Sequence, residues 1–406
     1  MHEVLPKVTS DVTSGKTPDL HPAEPVPPAG ARPAIHRRRL LLSTVGGLAA
    51  LAVPAGARLW ADRVPVRGPR LWSTADTGGR MALPAGPRES LYVSGYDGTV
   101  RAHEPRTGAV RWSRAVTAAD DAEPPGGWPL AAGSGTLCVN SATAVRALDA
   151  ASGQVRWELS VPDWRDLPAE QGIVMAGDSV LTGYGNALRC HDLATGEVRW
   201  STPANVSPLP LVVGDTVYVP GRTGGLFAFD VRSGARRWAQ DAVGPVGFAP
   251  TGHRGVLHAV SNDPATGAST VHALDAASGR PLWQRAQRHG LGGLAVADGT
   301  VCFLSNTGLT ALDARTGDTR WTAVVPSGLG RGMSSVAAAG GVVYVATNDE
   351  RLFAHDLATG RLNWRDEPDR LAADTEYTHI ALAAVGLALF RSGRTGVRAL
   401  GTLPAA

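Results

Sequence analysis

The sequence predicts an all-β fold: an eight-bladed β-propeller of four-stranded antiparallel blades, its ring closed by an N-terminal strand in the last blade. Three observations carry this reading. One short pattern recurs seven times, its copies are spaced by the length of four short strands with their turns, and each end of the repeat region holds what the other lacks.

The chain opens on residues 1–36, rich in Pro, Ala, Thr, Asp and Glu and without hydrophobic periodicity, which reads as a disordered tail. Residues 37–57 come next: Arg37-Arg38-Arg39-Leu40-Leu41-Leu42, an apolar run to Val53, then Ala55-Gly56-Ala57. A basic start, an apolar centre and a small-residue site make an export signal, and two arginines, any residue and two leucines resemble the twin-arginine type. An uncleaved membrane anchor is the other reading of the same stretch. Either way the basic end stays cytoplasmic and the repeat region is exported, extracellular or held at the outer face of the cytoplasmic membrane. Residues 58–66 are a linker, and residues 67–406 are the repeat domain.

Each copy of the pattern begins with an acid, has Thr or Ser three residues later, then Gly, and Trp eight residues after the acid. The clearest copy is Asp192-Leu193-Ala194-Thr195-Gly196-Glu197-Val198-Arg199-Trp200. Others run from Glu104 to Trp112, Asp149 through Gly153 to Trp157, and Asp230 through Gly234 to Trp238. The last three run from Asp275 through Gly279 to Trp283, Asp313 through Gly317 to Trp321, and Asp356 through Gly360 to Trp364. Successive tryptophans stand 38 to 45 residues apart.

Apolar residues before the acid read as a strand, as in Leu226-Phe227-Ala228-Phe229. The acid can accept backbone N–H bonds from the next residues and close a turn, and Gly supplies a positive φ there. Trp then lies on the return strand. A Trp buries roughly 150–250 Å², so docking contributes about 4–6 kcal/mol gross, an upper bound. One sheet cannot cover that ring; a neighbouring sheet must.

In the third repeat the four strands are expected at 172–176, 179–183, 187–191 and 197–202. After Trp364 an eighth repeat begins, with strands in 383–390 and a third strand at 396–400, but no Thr-Gly or Trp comes after it. At the other end, Gly68-Pro69-Arg70-Leu71-Trp72 repeats the Gly-to-Trp spacing of Gly279 and Trp283. Trp72 is thus expected on the fourth strand of the last blade, which would leave no free edge in the ring.

The A-x-D-x-x-[T/S]-G-x-x-x-W run resembles the tryptophan-docking motif of the PQQ-like repeat propellers, over about residues 67–401. That family includes quinoprotein alcohol dehydrogenases and BamB-like outer-membrane assembly proteins. The resemblance implies the eight-bladed fold. For function it implies two classes, a protein-binding scaffold or a PQQ- and Ca²⁺-dependent oxidoreductase with a catalytic Asp and typically a vicinal cysteine disulfide.

The residues favour the first. Formal charge is +3, with both lysines, Lys7 and Lys16, in the tail, so the domain presents no basic footprint for nucleic acid. Cys138, Cys190 and Cys302 are separate, form no C-x-x-C, and read as small buried hydrophobes. His103, His191 and His355 share one repeat position and so point apart around the ring, as packing residues. No catalytic, cofactor-binding or metal residue is assigned, and no cofactor is expected.

What departs from the repeat is the better clue. The long connections are 117–127, 162–171 and 367–378 between blades and 261–269 within one, and all emerge on one face. They bring Trp128 and Trp164 together with Asp120, Asp121, Glu123, Asp166, Asp369 and Asp374. This reads as a face with aromatic anchors and an acidic rim for a protein or cell-envelope partner; rings folded back onto the blades are the alternative. The protein is expected to be a monomer that meets the membrane only through its N-terminal segment.

Overall fold

Blade 3 shows how the residues build one unit. Strands Ile173–Ala176, Ser179–Tyr184, Ala187–Asp192 and Val198–Pro203 pair in that order, all antiparallel, each end within a residue of its expected place. Second strands such as Thr136–Asn140 and Thr216–Pro220 are buried along their whole length. They lie between neighbouring blades, which is why they are apolar on both sides. The fourth strand of blade 3 alternates exposed and half-buried residues towards its end, and its motif Trp occupies a half-buried position.

The computed structural model describes residues 70–402, apart from 76–78, 83–89, 117–127, 142, 161–171, 185–186, 205–209, 222, 247–248, 289–290, 306–307, 326–334, 348–349, 368–380, 386 and 394–395. The tail, the signal or anchor and the linker lie outside these. The described residues form eight four-stranded antiparallel sheets, with no helix among them.

The eight sheets form a ring through their first strands. In blades 1 to 8 these are Arg80–Ala82, Leu130–Gly133, Ile173–Ala176, Leu211–Val213, Thr251–His253, Leu291–Ala297, Ser335–Ala339 and Ala381–Val385. Each touches the next, and the last touches the first. Blade 8 is composite: Arg70–Thr74 pairs antiparallel with Gly396–Thr402, setting Trp72 opposite Ala399 and Thr74 opposite Val397.

The core sits in the seams. Leu181, Leu188 and Cys190 of blade 3 pack with Val217, Val219 and Phe229 of blade 4, and similar clusters join the other blades. Two faces result. The turns after the third strands, which carry the motif, form the turn face; the turns after the second strands and the blade-to-blade connections form the connection face.

Candidate functional site

The repeated turns are a structural clasp. In blade 3, Asp192 Oδ1 accepts the N–H groups of Ala194 and Thr195, both at 2.9 Å, and the Thr195 hydroxyl. Gly196 comes next with φ +80 and donates its N–H to Asp192 O. The indole of Trp157, from blade 2, lies on that glycine and donates Nε1–H to Leu193 O at 2.9 Å. The same contact joins Trp112 to Gly153, Trp200 to Gly234, Trp238 to Gly279, Trp283 to Gly317 and Trp321 to Gly360. Each of these indoles donates to the carbonyl of the residue after the acid. A side chain on any of these glycines would occupy the ring's place.

A second layer is less visible in the sequence. The residue before Trp is Arg in five copies, Arg111, Arg156, Arg199, Arg237 and Arg320, and each pairs with its own motif acid. Each also reaches a hydroxyl at the start of the second strand: Ser90, Thr136, Ser179, Thr216 or Thr300. Where the hydroxyl is absent, at Val256 and Val342, the arginine is absent too, replaced by Leu282 and Asn363. The covarying pair was the available signal. Arg156 and then Ser152 hold the Asp149 carboxyl down at about 2, and Arg320 does the same for Asp313. These groups face solvent, so screening keeps their stabilisation small.

Buried residues fit the seams in pairs. Tyr92 and Tyr218 donate O–H to Ala150 O and Ala276 O, each 3.0 Å, and His258 donates Nε2–H to Ala314 O at 3.1 Å. Where this strand position holds Cys138, Leu181 or Cys302, the facing residue is larger: Leu193, Val231 or Leu357. The cysteines are thus fillers, free and buried, and burial pushes the Cys138 and Cys302 thiols up to about 12. His103, His191 and His355 each donate Nδ1–H to the motif glycine's carbonyl, at 3.1, 3.2 and 3.0 Å. A cleft of about 290 Å³ between blades 1 and 2, lined by Tyr92, Arg111, Thr136, Asp149 and Arg156, belongs to this clasp.

On the connection face, one expected anchor moves inward. Trp128 is only 6% exposed; its ring packs with Tyr92, Val100, Leu137 and Leu148 in the seam between blades 1 and 2. Its backbone N–H donates to Ser94 Oγ at 2.7 Å. A ring held there fills the core and is not offered to a partner, because leaving it in water would forfeit its burial. Trp164, Asp120, Asp121, Glu123, Asp166, Asp369 and Asp374 lie outside the described residues.

The expected long connection at 261–269 is instead an extended hairpin. Strands Val256–Asn262 and Ser269–Asp275 pair to their ends, Asn262 opposite Ser269, and residues 263–268 close the turn.

Blades 7 and 8 are joined by charge. Glu350, in the turn after the second strand of blade 7, pairs with Arg391 of blade 8, both out of solvent. Asp366 receives Arg398 at 3.1 Å and Arg70 at 3.2 Å.

The described residues do not fit a PQQ–Ca²⁺ site. The cysteines stand in separate blades, the motif acids are engaged in their own turns, and no three His, Cys, Asp or Glu residues among those described are grouped to hold a metal.

Comparison with known proteins agrees with this architecture. The family model described as outer membrane protein assembly factor BamB matches residues 44–266, 185–290 and 267–401. Over 173 residues the chain is 28% identical to the outer membrane protein assembly factor BamB of Yersinia pestis, covering 40% of this chain and 44% of that protein. The chain therefore spans less than half the length of that relative. BamB from Moraxella catarrhalis superposes with a TM-score of 0.60 at 18% identity, over 83% of this chain and 98% of that one. The quinohemoprotein alcohol dehydrogenase of Comamonas testosteroni gives 0.60 at 14%, over 83% and 77%. At these identities the structural likenesses speak to fold.

Proposed function

This chain belongs to the BamB family of propellers, and from that premise we propose that it is an exported, non-catalytic scaffold whose connection face binds a protein or cell-envelope component. The observation that carries the reading is the contrast between the faces. Acids, hydroxyls and arginines of the turn face are paired with one another within each blade. A departure from the repeat, the Val256–Asp275 hairpin, ends on the connection face.

The closing strand supports the same choice of face. Arg70 pairs with Leu400, at the turn-face end of blade 8, so the closing strand begins on the side opposite the connection face. The engagement of the motif acids in their own turns and the placing of the cysteines in separate blades support the scaffold reading over the oxidoreductase one.

The test is site-specific photo-cross-linking in the producing cells. A photoreactive residue at Asp97 or Ala265, on the connection face, should give a discrete adduct, while one at Ala151, on the turn face, should not. Adducts from both faces alike, or from neither, would overturn the assignment.

A further inference from the structure

The hairpin of blade 5 carries a copy of the clasp turn on the wrong face. Asp263-Pro264-Ala265-Thr266-Gly267-Ala268 matches Glu104-Pro105-Arg106-Thr107-Gly108-Ala109, the turn on which Trp72 docks. The geometry matches as well. Asp263 N–H donates to Ala268 O and Gly267 N–H to Asp263 O, both 2.8 Å, as Glu104 does with Ala109 and Gly108 with Glu104. Ala268 N–H reaches Thr266 Oγ1 at 3.3 Å, as Ala109 reaches Thr107. Gly267 has φ +69 and Gly108 φ +75.

The two differ in what covers them. Gly108 lies under the Trp72 indole, and Pro105 O accepts the indole N–H at 2.8 Å. Above Gly267 nothing approaches within 4 Å of where a side chain would begin, and residues 263–267 are exposed, whereas the motif glycines are buried. The seven occupied turns define the occupant chemically: a flat ring that stacks on a bare glycine Cα and donates one N–H to the preceding carbonyl. Among side chains that describes tryptophan.

We propose that the Asp263–Gly267 turn docks a tryptophan side chain of the scaffold's protein partner, with Pro264 O accepting the indole N–H. This rests on the scaffold reading and names the partner's anchor. The hairpin places the turn beyond the paired end of blade 5, where an extended partner segment can reach it.

The test uses the full chain and a peptide of residues 70–76, with 5-fluorotryptophan in place of Trp72, monitored by ¹⁹F NMR. Saturable binding is expected with Kd on the order of 1 mM, as suits one side chain. Gly267→Asn keeps a residue that tolerates positive φ but puts Cβ under the ring, and should weaken binding about tenfold or more. Gly135→Asn, at another open glycine with φ +69, should leave it unchanged. An unlabelled peptide with Leu for the tryptophan should not displace the fluorinated one, whereas unlabelled peptide with Trp should, which keeps the test independent of any folding defect. Equal binding to wild type and Gly267→Asn, or no saturation, overturns the proposal. Connection-face cross-links that persist in Gly267→Asn overturn it while leaving the scaffold reading intact; their absence from the wild-type protein removes the scaffold reading itself.

Discussion

Trp72 lies flat on Gly108, so close that a Cβ at residue 108 would sit 2.5 Å from a ring atom. Trp72 belongs to blade 8 and Gly108 to blade 1, so this contact joins the two ends of the ring. The indole N–H to Pro105 O bond and the neighbouring Phe390 and His103 rings complete the seam. Trp72→Ala is expected to cost about 3–5 kcal/mol. Deleting residues 58–75 should destabilise further by exposing the edge of Gly396–Thr402. Urea melts check both, and a truncated chain that melts like the full one would refute the composite blade.

At the seam between blades 7 and 8, Trp364 packs beside Tyr344 with ring centroids 6.0 Å apart, as Trp112 packs beside Tyr92. The buried Glu350–Arg391 pair bridges the same seam. Glu350→Ala removes the paired carboxylate from a buried guanidinium and should cost about 3–5 kcal/mol, whereas the double change Glu350→Leu with Arg391→Met should restore most of that. Chemical denaturation of the wild type and both variants measures the difference; equal losses in single and double variants would show that the pair itself supplies the stability.

Stability should fall between pH 7.5 and 5. Burial holds His191, His258, His272 and His355 below their ordinary 6.5. The unfolded chain takes up protons near 6.5 before the folded one does, so stability present above that value is lost as pH falls through it. The motif carboxylates do not contribute in this window. Asp149 and Asp313 lie at about 2 against an ordinary 3.8, so their share is lost only below roughly pH 4. Urea midpoints at several pH values test this, and a flat profile from 7.5 to 5 would contradict it.

Titration with PQQ and Ca²⁺ together should give no saturable binding at micromolar quinone and no dye-linked oxidation of alcohols or sugars. Saturable binding would return the protein to the oxidoreductase class.

The clasp was legible because it is local. Asp192, Thr195, Gly196 and Trp200 fall within one hairpin, and turn chemistry needs particular residue types at fixed offsets. Repetition then revealed that these residues serve the blades, and Trp72 disclosed the closure because its spacing matched Gly279 and Trp283. The Arg199–Asp192 pair was equally local but hidden, since arginines abound in this chain and its partner Ser179 sits on another strand. Trp128 left two readings open, because a bulky ring beside a long connection looks alike in sequence whether it faces water or a seam.

By itself, then, the sequence determined the number of blades, the turn that joins them and the strand that closes the ring, all of which depend on short-range pattern and its period. Only the tertiary structure decided what each seam contains: Trp128 folded inward, Tyr92 matched to Ala150 and Cys138 to Leu193, and Glu350 paired with Arg391. Those choices join residues from different blades, where burial and steric fit rather than sequence spacing select the partner. The bare Gly267 turn likewise became visible only when its seven covered counterparts could be compared with it in space.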